Sequence, residues 1–242
     1  KSESARWQEY LSAEILEILK TMNEVRFMLW KNGEKMNIIF LHGLGQSPAS
    51  WNGTVSSLSS NIKADCPDLF GLWKGKDITY EKIYLSFEMY LDAFSEPVIL
   101  CGISLGAVLA LNYAINHTEK VKSLILIAPQ YKMPQLLLKL QNIIFRIMPE
   151  NSFLSTGMEK KDIIRLTTSM MKLDFQDNLG TILCPTLIIC GKKDSANIKA
   201  AKKLVNLISN AKLIVIDNAG HEINMIAPHR LAAEINLFCC AS

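Results

Sequence analysis

The chain has little net charge, no long apolar run and no segment that resembles a secretory signal. Its 26 lysines and arginines against 23 acidic residues leave a net charge of +3 scattered over 242 residues, which argues against a nucleic-acid partner. The longest apolar stretch, 133–149, contains Lys139 and Arg146 and is closed by Pro149, so it is too short and too charged to span a bilayer. We therefore expect neither a nucleic-acid-binding protein nor a transmembrane segment.

Cysteine and histidine patterns typical of metal centres and disulfide frameworks are also missing. No two of the six cysteines form a C-x-x-C pair, and most lie in or beside apolar, strand-like runs. In a core-rich chain of this size they are expected to be buried thiols in a reducing compartment. The six are Cys66, Cys101, Cys184, Cys190, Cys239 and Cys240. The sequence thus predicts a cytoplasmic protein that needs no metal.

Strand-like and helix-like segments alternate along the chain, and 49% of its residues are hydrophobic, enough for one sizeable core. This alternation predicts an α/β fold with a mainly parallel sheet that helices cover on both faces. The predicted strands lie in 35–42, 62–66, 98–101, 121–130, 185–194 and 211–221. The predicted helices span 47–61, where Ser47 opens the helix and Pro48 lies in the first turn, and 78–94; one begins at Ala107, and two more span 197–209 and 223–238.

Three segments depart from this alternation. Residues 3–22 predict an amphipathic helix that packs over a sheet edge or, as the alternative, contacts a membrane or a partner. Asn32-Gly33 predicts a hairpin that gives the sheet an antiparallel start. Residues 130–180 are helical in character with no strand pattern, so we expect a small cap. The whole chain, 1–242, is accordingly predicted to be one domain that carries this helical insertion.

Ser104 stands between Gly102 and Gly106, where a strand-like run meets a helix-like one. A side chain at such a bend sits in a strained backbone conformation, and small residues two positions either side relieve the crowding. This is the pattern of a G-x-S-x-G nucleophile elbow, in which the serine is exposed for attack. We therefore predict that Ser104 is a nucleophile.

A serine hydroxyl needs a neighbouring base to take its proton, and the chain has four histidines. Only His221 follows a strand in a loop that lets the ring swing over the carboxyl ends of the sheet, so it is the predicted base. The carboxylate that orients it is expected to be Asp194, at the end of a neighbouring strand. Asp217 is the alternative, but it lies four residues before His221 and still belongs to the strand or its first turn.

A negative oxygen that develops at a tetrahedral centre needs hydrogen-bond donors. The backbone N–H of Leu105, directly after the serine at the start of a helix, can supply one. The "HGLGQS" loop can supply the other through the backbone N–H of Leu44, with Gly43 and Gly45 allowing a tight turn. His42, which opens this loop, is expected to hold it by side-chain hydrogen bonds.

Four segments in order, "HGLGQS", "GISLG", "CPTLIICGKKD" and "NAGHEI", resemble the landmarks of the α/β-hydrolase superfamily over roughly residues 24–240. The resemblance implies the fold of that name, with Ser104, His221 and Asp194 as nucleophile, base and acid. It argues against haloalkane dehalogenases, whose nucleophile is an aspartate. Two departures from the pattern leave the subfamily unassigned. Ile198 stands where many relatives have a proline four residues after the acid, and the oxyanion loop lacks the three-glycine run of the hormone-sensitive lipase branch.

The resemblance further implies a serine esterase or lipase without a cofactor that acts on a small-molecule ester. The predicted cap is rich in large apolar residues, which either pack the cap against the rest of the domain or line an acyl pocket. These are Leu136, Leu137, Ile143, Ile144, Phe145, Ile147, Met148, Met170 and Met171. An ester with an apolar acyl group, such as a monoacylglycerol, is the expected substrate. Acyl transfer, C–C bond hydrolysis, perhydrolysis and a ligand receptor that keeps the triad stay open as alternatives.

Overall fold

A computed structural model describes residues 35–73, 75 and 77–241. Its six strands form one parallel sheet in the order β2-β1-β3-β4-β5-β6. The strands are β1 Met36–Leu41, β2 Ile62–Asp65, β3 Val98–Ile103, β4 Val121–Ile127, β5 Thr186–Gly191 and β6 Ala211–Ile216. The predicted α/β fold with a mainly parallel sheet is confirmed. The predicted helix 3–22 and the hairpin turn at Asn32-Gly33, with the strand before it, lie outside the described residues.

Helices follow most of the strands. They are α1 Asn52–Val55, α2 Leu69–Leu72, α3 Tyr80–Leu91, α4 Leu105–Asn116, α5 Gln135–Ile147, α6 Lys160–Met170, α7 Ile198–Leu207, α8 Ile223–Ile226 and α9 Pro228–Ala241. Short 3-10 turns lie at Pro48–Trp51, Thr118–Lys120, Glu150–Thr156 and Gln176–Thr181.

Two helix predictions were wrong in length. The closing helix predicted over 223–238 is two helices, because Pro228 has no backbone N–H to continue α8 and instead begins α9. The helix predicted from Ser47 ends at Val55, where the hydroxyls of Ser56 and Ser57 turn back onto the Gly53 carbonyl at 3.0 and 3.2 Å.

Both faces of the sheet are buried, so its central strands are apolar at nearly every position. On one face Leu41, Leu100 and Leu126 pack against residues of α3, α4 and α7. On the other face Phe40, Cys101 and Ile127 pack with Trp51 and with residues of α9. This is the burial expected of a parallel sheet covered on both sides.

The carboxyl ends of the strands form one edge of the sheet, which is where open α/β sheets gather their functional groups. His42 follows β1 there, Ser104 follows β3, Asp194 follows β5 and His221 follows β6. Between β4 and β5 the chain leaves the sheet to form α5 and α6, and residues of both helices line one cavity with Ser104 and His221. Asn142 of α5 and Thr167 and Thr168 of α6 join the two helices by side-chain hydrogen bonds of 2.6 and 2.9 Å.

Candidate active site

The turn from β3 into α4 holds Ser104 in a strained backbone conformation, with φ +53° and ψ −113°. Its backbone N–H donates to the carbonyl of Ile127 in β4 at 3.0 Å. The turn also presses against its surroundings: a Cβ on Gly102 would lie 2.2 Å from the Gly106 carbonyl oxygen, and one on Gly106 would lie 2.1 Å from the Leu41 oxygen. Only glycine fits at either position, and these backbone contacts hold Ser104 in its strained conformation.

His221 and Asp194 meet at the ends of the adjacent strands β6 and β5. The His221 Nδ1 atom lies 2.8 Å from Asp194 Oδ2, and the Asp194 side chain is only 4% exposed. Burial would raise the pKa of Asp194, but the hydrogen bonds from His221 and Asn197 outweigh it and hold this pKa below its ordinary value. A buried, ionised carboxylate therefore faces one side of the imidazole.

Asp217 is far less suited to this place. Its side chain is 73% exposed and pairs with the Lys192 ammonium at 2.9 Å on the surface. The structure thus brings Asp194, and not Asp217, to the ring of His221. The other described histidines have partners elsewhere: His117 contacts Glu88 at 2.8 Å and His229 contacts the Ser57 hydroxyl at 2.7 Å.

Ser104 and His221 line one cavity of about 190 Å³ at this edge of the sheet. The Ser104 hydroxyl makes no hydrogen bond with His221 here, and contacts of this kind are commonly long before a substrate binds. Leu44 and Leu105 line the same cavity, and neither backbone N–H donates to an acceptor within the described part of the chain. Donors without an internal partner are what an oxyanion site requires.

The loop that carries Leu44 is fixed by its own side chains. Gly45 has φ +77°, which favours glycine, whereas a Cβ on Gly43 would make only ordinary contacts near 3.5 Å. Gly43 is therefore not needed for the tightness of this turn, contrary to the prediction. The Gln46 side-chain oxygen accepts from the Gly43 N–H at 3.2 Å and from Asn224 Nδ2 at 3.1 Å, which ties the loop to α8.

His42 holds the same loop by side-chain hydrogen bonds, as predicted from the sequence. Its Nδ1 lies 3.0 Å from the Gly43 carbonyl oxygen, and its Nε2 accepts from the Leu69 backbone N–H at 3.1 Å. One nitrogen donates and the other accepts, so the ring is neutral; burial lowers the pKa of His42 accordingly. Both nitrogens are occupied, which leaves none to move a proton in the cavity.

Residues 130–180, the predicted cap, contribute a different apolar wall from the one that their sequence suggests. Of the nine large apolar residues singled out in its sequence, only Leu137 and Met170 line the cavity. Phe145 instead packs edge-on against Phe153 with ring centroids 5.4 Å apart, and Met148 does not reach the cavity either. The rest of the wall that this segment contributes comes from Gln130, Met133, Pro134, Leu138, Gln141 and Thr167.

Asn197 is a polar member of the site that the sequence predictions missed. It lies three residues after Asp194 and hydrogen-bonds to that carboxylate. An asparagine just before a helix is typical of an N-cap, and this is the signal its sequence position gives. Gln130, which the order of strands places at the same sheet edge, hydrogen-bonds to Asn197.

Within residues 35–73, 75 and 77–241, no group of three or more histidine, cysteine, aspartate or glutamate side chains could hold a metal ion. In the same residues, no helix is long and apolar enough to cross a membrane. All six cysteines are free thiols.

Comparisons with known proteins give a family and a fold. The sequence model of the alpha/beta hydrolase family matches residues 38–234. The monoacylglycerol lipase abhd6-B of Xenopus laevis is 23% identical over 259 residues, covering 84% of this chain and 74% of that protein. The pimeloyl-(acyl-carrier protein) methyl ester esterase of Wigglesworthia glossinidia brevipalpis is 36% identical over 95 residues, covering 38% of this chain and 36% of that protein.

Solved structures are similar at lower sequence identity. MenH from S. aureus superposes with a TM-score of 0.73 at 20% identity, covering 85% of this chain and 94% of that one. The enol-lactonase from Burkholderia xenovorans LB400 gives a TM-score of 0.75 at 16% identity, covering 86% of this chain and 92% of that one. These likenesses concern the fold.

Proposed function

Because the chain belongs to the alpha/beta hydrolase family, we propose that it is a serine hydrolase that cleaves carboxylic esters with an apolar acyl group through an acyl-enzyme intermediate. The single observation that carries this proposal is the 2.8 Å contact between Asp194 and His221 beside a cavity that the strained Ser104 shares. The esterase and lipase names of its relatives support ester cleavage.

In the proposed reaction the Ser104 hydroxyl oxygen attacks the ester carbonyl carbon while His221 accepts the hydroxyl proton through Nε2. Asp194 stabilises the resulting imidazolium through Nδ1. The carbonyl oxygen becomes negative and is held by the backbone N–H groups of Leu44 and Leu105. Collapse expels the alcohol, which takes the proton from His221. A water molecule then attacks the acyl-enzyme by the same steps in reverse, releasing the acid and restoring Ser104.

The cavity wall supports an apolar acyl group. Val108 of α4, Leu137 and Leu138 of α5, and Met170 of α6 surround the space beside Ser104. Unbranched methionine side chains adapt to acyl groups of different shape. Here residues 130–180 act as a cap that forms part of this wall, and a monoacylglycerol or another ester of a medium-length acid is the substrate class we favour.

The six free thiols also fit the proposed cytoplasmic location, since a reducing compartment keeps thiols free. Burial raises the pKa of the Cys66 thiol to about 11, so little of it is thiolate at neutral pH.

A series of p-nitrophenyl esters of increasing acyl length, run on the wild type and Ser104→Ala, tests the proposal. We expect kcat/KM to rise by up to about fourfold for each added methylene, because each buried methylene contributes at most about 0.8 kcal/mol, and then to fall once the cavity is full. Ser104→Ala should lower turnover by about four orders of magnitude. Unchanged turnover in that variant would refute the serine mechanism. A best rate on acetyl esters would refute the apolar acyl group, and one stoichiometric turnover would favour a receptor.

A further inference from the structure

Asn197 occupies the N-cap position of α7 but does not cap the helix. Its side chain makes no hydrogen bond to the first turn of α7. Instead, the Nδ2 atom lies 2.9 Å from both Asp194 carboxylate oxygens, and the Asn197 backbone N–H donates to Oδ1 at 3.2 Å. An asparagine at this position ordinarily stabilises the helix by capping it. The side chain is therefore directed at the carboxylate at the expense of the helix that follows it.

A second residue fixes the orientation of this amide. The Gln130 Nε2 atom donates to Asn197 Oδ1 at 2.8 Å and to the Ala196 carbonyl oxygen at 3.1 Å. Rotating the Asn197 amide by 180° would set its oxygen against the carboxylate and its nitrogen against the Gln130 nitrogen. Both contacts would then be repulsive. Gln130, which follows β4, thus ensures that Asn197 turns its amide nitrogen, and not its oxygen, towards Asp194.

The same amide lies against the ring of His221. Asn197 Nδ2 is 3.1 Å from His221 Nδ1, while Asp194 Oδ2 is 2.8 Å from that atom. The two carboxylate oxygens lie on one side of Nδ2 and share one of its protons, and the amide nitrogen, being only a donor, offers Nδ1 no acceptor. Asp194 Oδ2 is then the acceptor for a proton on Nδ1, which leaves Nε2 unprotonated toward the cavity. This is the tautomer that a base for Ser104 must have.

The backbone explains why the loop is held in this way. Asn197 has φ −108° and ψ −19°, a helical conformation that a residue before proline avoids. A proline at position 198 would therefore clash with this loop, and Ile198 stands there. Hydrogen bonds from Gln130 and Asn197 restrain the acid loop instead.

We propose that Asn197, oriented by Gln130, is a positioning residue that fixes the Asp194 carboxylate where it accepts the His221 Nδ1 proton. Its effect on rate rests on the serine mechanism proposed above, whereas its effect on the hydrogen bond between Asp194 and His221 does not.

Three variants test this proposal. Asn197→Leu keeps the approximate size of the side chain and removes its donors, whereas Asn197→Asp keeps its shape and the acceptor for Gln130. The control, Asn206→Leu, makes the same Asn-to-Leu substitution at an exposed position of α7. We expect kcat to fall by about 10²-fold in both Asn197 variants, as misplaced catalytic groups commonly cause, with little change in KM. Asn206→Leu should match the wild type.

The pH profile separates positioning from packing. The Asp194 carboxylate loses a donor in Asn197→Leu and gains a neighbouring negative charge in Asn197→Asp. Both changes make the pair of Asp194 and His221 bind a proton more readily. The acid limb of kcat/KM should therefore move to higher pH, further for Asn197→Asp. A purely packing role would leave Asn197→Asp close to the wild type. Gln130→Leu should move the limb in the same direction with a smaller loss of kcat.

A proton resonance gives a readout that does not depend on turnover. The downfield signal of the His221 Nδ1 proton, assigned by its loss in His221→Gln, should persist in Ser104→Ala and shift or broaden in Asn197→Leu. If Ser104→Ala retains activity while this signal responds to Asn197, the mechanism fails and the positioning role stands. Unchanged kcat, acid limb and resonance in both Asn197 variants would overturn the positioning role, as would an equal loss in Asn206→Leu.

Discussion

Two regions beside the cavity differ in how they treat apolar side chains. Around the acid loop, the polar groups of Asp194 and Asn197 are buried and hydrogen-bonded within a well-packed body. On helix α5, the polar side chain of Asn142 is likewise buried, but Leu136 and Ile147 are 82% and 80% exposed. Leu137, Leu140, Ile143 and Ile144 of the same helix are also exposed.

The difference shows how rigidity is distributed around the site. The acid loop is restrained by several hydrogen bonds and the elbow by close backbone contacts, so a change there leaves a buried charge unpaired or forces atoms together. The exposed side of α5 makes few contacts, so changes there lose little. We therefore expect substitutions on the body side to have large effects and those on the cap to have graded or negligible ones.

The largest contrast should lie between two aspartates. Asp194→Asn removes the charge opposite His221 and favours the wrong tautomer, so kcat should fall by about 10⁴-fold. Asp217→Asn breaks only an exposed ion pair with Lys192, and its activity should stay near the wild-type value. Ester turnover of both purified variants measures this. The reverse ranking would assign the orienting role to Asp217.

Gly106→Ala should produce the next largest effect, on stability. A Cβ at this position would lie 2.1 Å from the backbone oxygen of Leu41. This oxygen belongs to strand β1 and cannot move aside as the end of a flexible side chain could. We expect the free energy of unfolding to drop by about 3 kcal/mol. Gly180→Ala is the matched control, because no atom lies within 4 Å of its Cβ position. Urea denaturation of both variants checks this, and equal midpoints would contradict the packing described for the elbow.

Cavity substitutions in the cap should have moderate effects. Leu137→Ala or Met170→Ala enlarges the space beside Ser104, so the preferred acyl length should increase while acetyl ester turnover changes by less than about threefold. Phe145→Ala, which changes a contact outside the cavity, should leave the length profile as it is. The profile of kcat/KM against acyl length measures all three. A shift with Phe145→Ala alone would mean that the cavity wall is wrongly assigned.

The smallest effect is expected on the exposed side of α5. Leu136→Ser and Ile147→Ser replace apolar side chains that are mostly in contact with water, so the free energy of unfolding should change by no more than about 0.5 kcal/mol. Differential scanning calorimetry measures the corresponding shift in melting temperature. A drop as large as that of Gly106→Ala would show that this side of the helix is covered in solution.

The same contrast decides what the sequence could predict. Gly102 and Gly106 flank Ser104 at fixed spacing, and Asp194 and His221 end two strands, so local patterns locate these residues at one sheet edge. Asn197 could not be found this way, because its sequence position is that of an ordinary N-cap and only β4 brings Gln130 to orient it. Apolar spacing in α5 likewise predicts a helix without telling which side is covered. Pro228, by contrast, marked the break between α8 and α9 and was overlooked.

Labelling with a fluorophosphonate probe tests the central claim most directly. Such a probe phosphonylates an activated serine hydroxyl with loss of fluoride, and peptide mass spectrometry identifies the residue that carries the adduct. We expect stoichiometric modification of Ser104 in the wild type, none in Ser104→Ala, and strongly slowed modification in His221→Gln. An adduct on another serine, or equal labelling of Ser104 with and without His221, would contradict the account.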